Sequence, residues 1–278
     1  MSDTGAIDRM PSTLRQAAIE ALLEADLDRK VERTNTACRL WFGRRLGVHA
    51  PTDPALPDRP GRPAEPMLVS PRTVKRRSVH TPAGRIAMIH ALAHIELNAI
   101  DLALDIVARF AAEKVPRSFF DGWMTVAQEE AKHFGLLSRR LAELDSHYGA
   151  LPAHDGLWQA VEATSHDLGA RLAVVPLILE ARGLDVTPSL LEKLHAVGDR
   201  ETAAILEIIY NDEKKHVAIG AKWFRFLCAR QGHNPAERFQ ELVRACFRGE
   251  VKAPFNDRAR AEAGLTPTFY RALSPLSR

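Results

Sequence analysis

The sequence has 278 residues, of which 46% are apolar, 26% are charged and 6% are aromatic. An apolar content near the globular average excludes a wholly disordered chain. The excess of Ala, Leu, Arg and Glu over β-branched and aromatic residues disfavours a strand-rich fold. The three cysteines form no Cys-x-x-Cys pair, which excludes a disulfide scaffold or a zinc ribbon and indicates a reducing compartment.

The net charge of +3 is unevenly distributed. Residues 1–80 and 225–278 carry +4 and +5, whereas residues 81–224 carry −6. Lys75, Arg76 and Arg77, with the arginines after 225, would supply phosphate contacts to a nucleic acid or another anionic partner. We favour ordinary solvated arginines instead, because aromatic side chains for base stacking are sparse in these segments.

Neither a leader nor a membrane span is predicted. The N-terminus, Met1 to Gly5, is polar and lacks a charged segment followed by an apolar one. The longest apolar run, Leu172–Leu179, has eight residues and contains Pro176, whereas a transmembrane helix needs about 20. We therefore expect a cytoplasmic protein without a membrane partner.

The segment before residue 81 is predicted to be partly helical and partly extended. Residues 12–46 have helical periodicity with Ser12 as the N-cap. Seven prolines between Pro51 and Pro71 then exclude helix and sheet. This segment is either a flexible linker or an arm packed on the domain. We favour the arm, because the apolar run 67–69 (Met-Leu-Val) gives it side chains to bury.

From residue 81 the periodicity is helical. It predicts long helices at about 83–112, 118–146, 156–183 and 199–230, with breaks at Pro116, at Gly149 and Pro152, and at Gly183 and Pro188. Shorter helices are predicted at 188–197 and 235–248, and Pro254, Pro267 and Pro275 indicate an irregular tail. We divide the chain into a helical and extended arm (1–80), a four-helix domain (81–231) and a C-terminal extension (232–278).

Each long helix has a glutamate within its apolar stripe: Glu96, Glu130, Glu180 and Glu213. Burying an isolated ionised carboxylate costs several kcal/mol, so four of them require compensation. Pro176, four residues before Glu180, is expected to bend the third helix.

The second and fourth helices also carry Glu-x-x-His, which directs both side chains the same way and adds His133 and His216. Glu96 precedes Glu130 by 34 residues and Glu180 precedes Glu213 by 33. This pattern is typical of di-iron and di-manganese carboxylate bundles, and the matched spans predict two similar half-sites with one metal each.

Two divalent ions would neutralise four carboxylates. Carboxylate and imidazole ligands suit iron or manganese, and the lack of nearby thiolates argues against structural zinc. The alternative is a set of buried ion pairs with Lys132, Lys214 or Lys215. We disfavour it because these lysines point away from the stripes.

Four further residues are assigned to the surroundings of the site. Asp212 is expected to orient His133, and Glu129 to orient His216, since a ligating imidazole usually donates its other N–H to a carboxylate. His94 and Tyr210 are candidate pocket residues. For His94 and its neighbour His90 we favour ordinary histidines on a polar flank, and for Tyr210 core packing.

The segments EEAKHFGLL (129–137) and DEKKHVAIG (212–220) resemble the paired [DE]-E-x-x-H signatures of the ferritin-like di-iron carboxylate superfamily. The closer resemblance is to a bacterial branch that is a domain of unknown function. Its motifs correspond here to HIELNAID (94–101), EARGLDVTP (180–188) and APFNDRARAEAG (253–264). The resemblance covers about 80–264.

The resemblance implies an antiparallel ferritin-like four-helix bundle, two bound iron ions (or manganese, or one of each) and chemistry of O₂ or peroxide. All six ligand positions of the superfamily match, and no separate catalytic residue is implied. They are Glu96, Glu130, His133, Glu180, Glu213 and His216.

Three functions fit these features. The first is an O₂-activating oxidase or hydroxylase acting on a small organic substrate, with an external ferredoxin or reductase as electron donor. The others are a ferroxidase or iron-storage subunit and a peroxide scavenger of rubrerythrin type. The long terminal segments have no use in a storage cage, and three scattered cysteines cannot form a rubredoxin-like module. Both observations favour the oxidase, for which a dimer is a reasonable assembly.

Overall fold

The computed structural model of the protein describes residues 10–70 and 78–275. Within these ranges the chain is helical, has no strand and forms two isolated β-bridges, so the all-α prediction is confirmed. No helix in these ranges is both long and apolar enough to cross a membrane. Two features of the sequence analysis, the N-terminus at Met1 to Gly5 and the basic run Lys75 to Arg77, lie outside the described residues.

The elements, in chain order, are α1 (Leu14–Leu23), α2 (Leu27–Phe42), α3 (Pro82–Arg109), α4 (Arg117–Glu143), α5 (Gly156–Ala163), α6 (Leu168–Val174), a π-helical segment (Val175–Glu180), α7 (Ala181–Ala196), α8 (Arg200–Gln231), α9 (Pro235–Cys246), α10 (Asp257–Glu262), α11 (Pro267–Tyr270) and a 3₁₀ turn (Arg271–Leu273). The tail predicted to be irregular therefore contains three short helical elements.

A helical bundle forms the centre of the molecule. Helix α3 packs against α4, α4 against α8, and α8 against α6, the π-helical segment and α7. Short connections join α3 to α4 and α7 to α8, so each pair is antiparallel. The ends of the long helices follow from the sequence: Thr81 caps α3 with Pro82 at its first position, and Gly232, with a φ of 72°, ends α8.

Two of the predicted helices are divided in the structure. The helix predicted over 12–46 is α1 and α2, because the Asp26 side chain caps a new helix by accepting a hydrogen bond from the amide of Arg29 at 2.9 Å. The helix predicted over 156–183 is interrupted between α5 and α6, where Asp167 caps α6. In both places an aspartate side chain satisfies the first amides of the new helix.

The predicted break at Gly183 and Pro188 is wrong, because both residues lie inside α7. A proline within a helix leaves the carbonyl four residues earlier without its amide partner. Here that carbonyl belongs to Leu184, and it accepts a hydrogen bond from Asn256 Nδ2 of the C-terminal tail at 3.2 Å. The tail thus compensates for Pro188, and the predicted separate helix at 188–197 is the second half of α7.

The proline-rich segment, residues 51–70 and from here on called the arm, lies against the bundle. The residues that were expected to hold it there do not do so. The amide of Gly61 donates a hydrogen bond to the carbonyl of Leu22. The amide of Val69 donates to the carbonyl of Ala153, whose own amide donates to the carbonyl of Met67. Met67 is 63% exposed and Leu68 is 46% exposed, so the expectation that they are buried is wrong. Hydrogen bonds and ion pairs, rather than the burial of Met67 and Leu68, attach this part of the arm to the bundle.

One such ion pair belongs to a row of buried polar residues on α3, here called the polar row. Asp101 accepts a hydrogen bond from Lys30 Nζ of α2 at 2.7 Å and pairs with Arg62 of the arm at 2.9 Å. Both Lys30 and Asp101 have fully buried side chains. The row ties α2, the arm, α6 and the loop before α5 to α3, and its members are His90, His94, Asn98, Asp101 and Asp105.

Candidate metal centre

Six glutamate and histidine side chains meet inside the bundle, here called the Glu/His cluster. Helix α3 supplies one residue, α4 two, the π-helical segment one and α8 two. Glu130, His133 and His216 have no exposed side-chain surface, and Glu96 has 5%. Glu213 is 12% exposed, and Glu180 is partly exposed. The members are Glu96, Glu130, His133, Glu180, Glu213 and His216.

Both histidines direct Nδ1 toward the carboxylates of the cluster. His133 Nδ1 lies 3.1 Å from Glu96 Oε2 and 3.4 Å from Glu130 Oε2. His216 Nδ1 lies 3.0 Å from Glu130 Oε1 and 3.6 Å from Glu213 Oε1. Glu130 therefore has one oxygen near each imidazole and lies between the two halves of the cluster.

The opposite nitrogen of each ring meets an acid outside the cluster. His133 Nε2 lies 3.1 Å from Asp212 Oδ2, and His216 Nε2 lies 2.7 Å from Glu129 Oε2. Each acid comes from the helix that carries the other histidine, so the contacts are reciprocal. A proton on Nε2 leaves the lone pair of Nδ1 directed into the cluster, as a metal-binding imidazole requires.

Several polar atoms of the cluster have no hydrogen-bond partner although they are buried. They are Glu130 Oε1, Glu180 Oε2, Glu213 Oε2 and His216 Nδ1; the 3.0 Å approach of His216 Nδ1 to Glu130 lacks hydrogen-bond geometry. Buried polar atoms are almost always paired in folded proteins. Three carboxylate oxygens and one imidazole nitrogen without partners are atoms that a bound cation would satisfy.

The charges of the cluster are balanced by protons in this arrangement. Burial raises the pKa of Glu96 well above its usual value, and the charge of Glu130 raises it further. Burial and the charge of Glu213 do the same to the pKa of Glu180. Burial lowers the pKa of His133, but hydrogen bonds to Glu130 and Glu96 outweigh it and raise that pKa to about 10.

The central carboxylate behaves differently. Burial acts to raise the pKa of Glu130, but the charge of His216 and hydrogen bonds with both histidines outweigh it and lower the pKa. Glu130 is thus the ionised member around which protons are held. The atoms of Glu96, Glu130, His133 and Glu213 that would bind a cation all lie within 4.8 Å of one another. This group could therefore hold a metal in place of the protons.

Residues 23–271 match the family described as "Protein of unknown function (DUF455)". The chain belongs to DUF455. A protein of Haemophilus influenzae named "Uncharacterized protein" is 43% identical over 209 residues, which is 73% of each chain. No solved structure matches the chain. The part of this DUF455 protein that matches the family includes the entire Glu/His cluster and both acids beside it.

Of the three lysines considered as alternative partners, Lys132 and Lys215 pair with the acids beside the cluster. Lys132 Nζ lies 2.5 Å from Asp212 Oδ2, and Lys215 Nζ lies 2.9 Å from Asp212 Oδ1. Burial acts to raise the pKa of Asp212, but hydrogen bonds from Lys132, Lys215 and His133 lower it. An ionised Asp212 can accept the Nε2 proton of His133. Lys214 lies over the ring of Tyr210, with Nζ 4.4 Å from its centroid.

Helix packing sets the position of Glu180 in this DUF455 chain. Pro176, expected to bend the third helix, lies in the π-helical segment that ends at Glu180. Pro176 packs on Gly220 of α8 so closely that a Cβ at position 220 would lie 2.5 Å from the Cβ of Pro176. A glycine is needed there because any side chain would separate the segment from α8. Sequence reasoning missed Gly220, because its role depends on a residue that is distant in sequence.

The two candidate pocket residues lie apart from the cluster. His94 belongs to the polar row, with Nδ1 2.8 Å from Tyr148 Oη, and lines a cavity of about 360 Å³ beside the arm. His90 accepts a hydrogen bond from the amide of Gly149 at 3.0 Å. Both histidines are buried, so the expectation of a polar flank is wrong. The hydroxyl of Tyr210 accepts a hydrogen bond from Asn256 at 3.2 Å.

Proposed function

We propose that this protein is a ferritin-like dinuclear metal carboxylate protein whose Glu/His cluster binds two iron ions. The observation that carries the proposal is the buried group of Glu96, Glu130, His133 and Glu213, whose possible ligand atoms lie within 4.8 Å of one another, together with unpartnered buried atoms on Glu130, Glu180, Glu213 and His216. Two divalent ions would balance the four carboxylates, with both imidazoles neutral. Glu130 would then lie between the two ions, since it has an oxygen near each histidine.

The donor set favours iron or manganese over structural zinc. Oxygen and imidazole nitrogen are the only donor types in the cluster, and structural zinc sites usually contain thiolates. Two of the three cysteines are buried, and Cys38 donates its S–H to the carbonyl of Met124. We expect iron in cells that supply it, and manganese or a mixed pair as the alternative.

We propose an O₂-activating oxidase or hydroxylase as the activity. Bound ferrous ions supply the electrons for O₂ chemistry, and the protein holds the ligands, sets the histidine tautomers and excludes water from the inner face. A small organic substrate and an external ferredoxin or reductase complete this proposal, and a cytoplasmic location fits it. A ferroxidase or a peroxide scavenger would use the same cluster.

Metal analysis tests the site. The protein is loaded with ferrous ion without oxygen, desalted and assayed for iron per chain. We expect about two ions in the wild type, and loss of most of the iron in Glu130→Gln, because this residue serves both halves. Glu143→Gln is the matched control: Glu143 ends the same helix and its side chain is 59% exposed. An iron-free wild type, or equal iron in Glu130→Gln, would contradict the proposal.

Oxygen consumption separates the proposed activities. The ferrous protein is mixed with O₂ or with peroxide, and the consumption of each is measured with ferric product and protein size. Consumption of O₂ by a small assembly, with no mineral formed, supports the oxidase. A cage of many subunits that accumulates ferric mineral would indicate storage, and faster reaction with peroxide than with O₂ would indicate a scavenger.

A further inference from the structure

We propose that metal ions reach the Glu/His cluster between α7 and α8, through an opening beside Gly183. This inference rests on the proposed function. The two helices form an antiparallel hairpin around the turn at Gly198. Residues equally distant from such a turn lie at the same level of the hairpin, and the contact between Pro176 and Gly220, each 22 positions from Gly198, establishes this register.

The register places residues of the cluster in the middle of the hairpin seam. Glu180 lies level with His216, and Gly183 lies level with Glu213. Glu180 and Glu213 are the two members of the cluster that are partly exposed to solvent. The side chains of the other four are at most 5% exposed. An ion that arrives along the seam therefore meets these two carboxylates first.

Both ends of the seam are closed. At one end Pro176 packs on Gly220 without space for a side chain. At the other end Asn256 bridges the helices, because its Nδ2 donates to the carbonyl of Leu184 and to the hydroxyl of Tyr210, each at 3.2 Å. The opening is confined to the stretch between these contacts.

Open space lies beside Gly183 in this stretch. A Cβ built at position 183 meets no atom within 4 Å, whereas at Gly84, Gly122 and Gly220, also within described helices, it would meet an atom within 3.1 Å. A glycine inside a helix costs stability relative to alanine. The packing of the protein does not require a glycine at 183, so the space beside it is free for an ion that comes from outside the chain.

The test measures how fast ferrous ion enters and leaves. Apo-protein is mixed with ferrous ion without oxygen, and loaded protein is mixed with the chelator 2,2′-bipyridine. In Gly183→Leu we expect both rates to fall about tenfold, because passage then requires local opening of the hairpin, with the final iron content unchanged. Gly135→Leu is the control. Gly135 is also helical and partly exposed, and it lies two residues after His133.

Rates in Gly183→Leu equal to those of the wild type, or an equal decrease in both leucine variants, would overturn the entrance. A wild type that binds no iron would instead contradict the proposed function. These two failures are therefore distinguishable.

A second variant covers the case in which leucine prevents folding. Gly183→Cys, in a chain also carrying Cys246→Ser, is folded first and then alkylated with N-phenylmaleimide; Cys38 and Cys228 are buried. Alkylated protein should load iron more slowly than unalkylated protein, and the same treatment of Gly135→Cys should not change the rate. Equal loading rates before and after alkylation at position 183 would overturn the proposal.

Discussion

Helix α3 carries buried carboxylates on two of its faces, and their surroundings are opposite. Asp101 in the polar row has Lys30 on one oxygen and Arg62 on the other. Glu96 in the Glu/His cluster has His133 at 3.1 Å and, beyond it, the carboxylates of Glu130 and Glu213. One face pairs each acid with permanent cations from other segments, and the other collects acids together.

This difference separates a structural ion pair from a binding site. A buried carboxylate between a lysine and an arginine has its charge balanced by the fold itself, as Asp101 does, although its Oδ2 lies 2.9 Å from Arg62 without hydrogen-bond geometry. The cluster leaves three carboxylate oxygens and one imidazole nitrogen without partners. Folding therefore supplies the acids of the polar row with lysine and arginine partners and leaves the acids of the cluster without a permanent cation. The predictions below test this contrast.

The largest effect is expected from Asp101→Ala. It leaves the buried ammonium of Lys30 without its carboxylate, so the free energy of unfolding should fall by about 3–5 kcal/mol. Urea denaturation of the metal-free protein measures it. Glu207→Ala on α8, at a side chain that is 54% exposed, should change the free energy by less than about 0.5 kcal/mol. If Asp101→Ala costs no more than this control, the polar row is not a stabilising element.

An intermediate effect is expected from the acids that face the histidines. Asp212→Asn removes the anionic acceptor of His133, and Glu129→Gln removes that of His216. Each change should weaken iron binding about 10- to 100-fold, as outer partners of metal ligands usually do. Competition with a chelator of known affinity measures this, with Glu207→Gln as the control. Unchanged affinity in both variants would show that the two contacts do not tune the site.

The smallest effect on stability is expected from Glu180→Gln. Burial raises the pKa of Glu180 well above its usual value, so the metal-free protein holds it neutral, and glutamine has nearly the same shape. The free energy of unfolding without metal should change by less than about 0.5 kcal/mol. Iron content should nevertheless fall below that of the wild type. A loss of stability as large as that of Asp101→Ala would place Glu180 with the structural acids.

The residues of the cluster could be predicted because they lie at helical spacing. Glu130 and His133, and Glu213 and His216, are one turn apart, so local periodicity alone directs each pair inward. The reciprocal contacts of Asp212 and Glu129 followed from the similarity of the two motifs. What these side chains bind is a separate question, and metal analysis answers it.

Other features were not predictable because their causes are distant in sequence. Pro188 indicates the end of a helix, yet α7 continues through it. The carbonyl of Leu184, which loses its amide partner to Pro188, receives a hydrogen bond from Asn256 Nδ2 instead. Met67 and Leu68 are apolar, yet the arm is held by Arg62 and backbone hydrogen bonds. In both cases the partner that decides the structure lies tens of residues away.

The sequence by itself determined that the chain is helical, where α3, α4 and α8 run and which glutamates and histidines face inward, since each depends on residues within two turns. Composition also showed that the middle of the chain is acidic. It did not show that these acids form two unlike groups, the polar row and the Glu/His cluster. Only the tertiary structure decided which acids receive a cation from another segment and which converge without one. It also decided where the cluster reaches solvent, because burial and ion pairing depend on contacts between helices that local sequence does not specify.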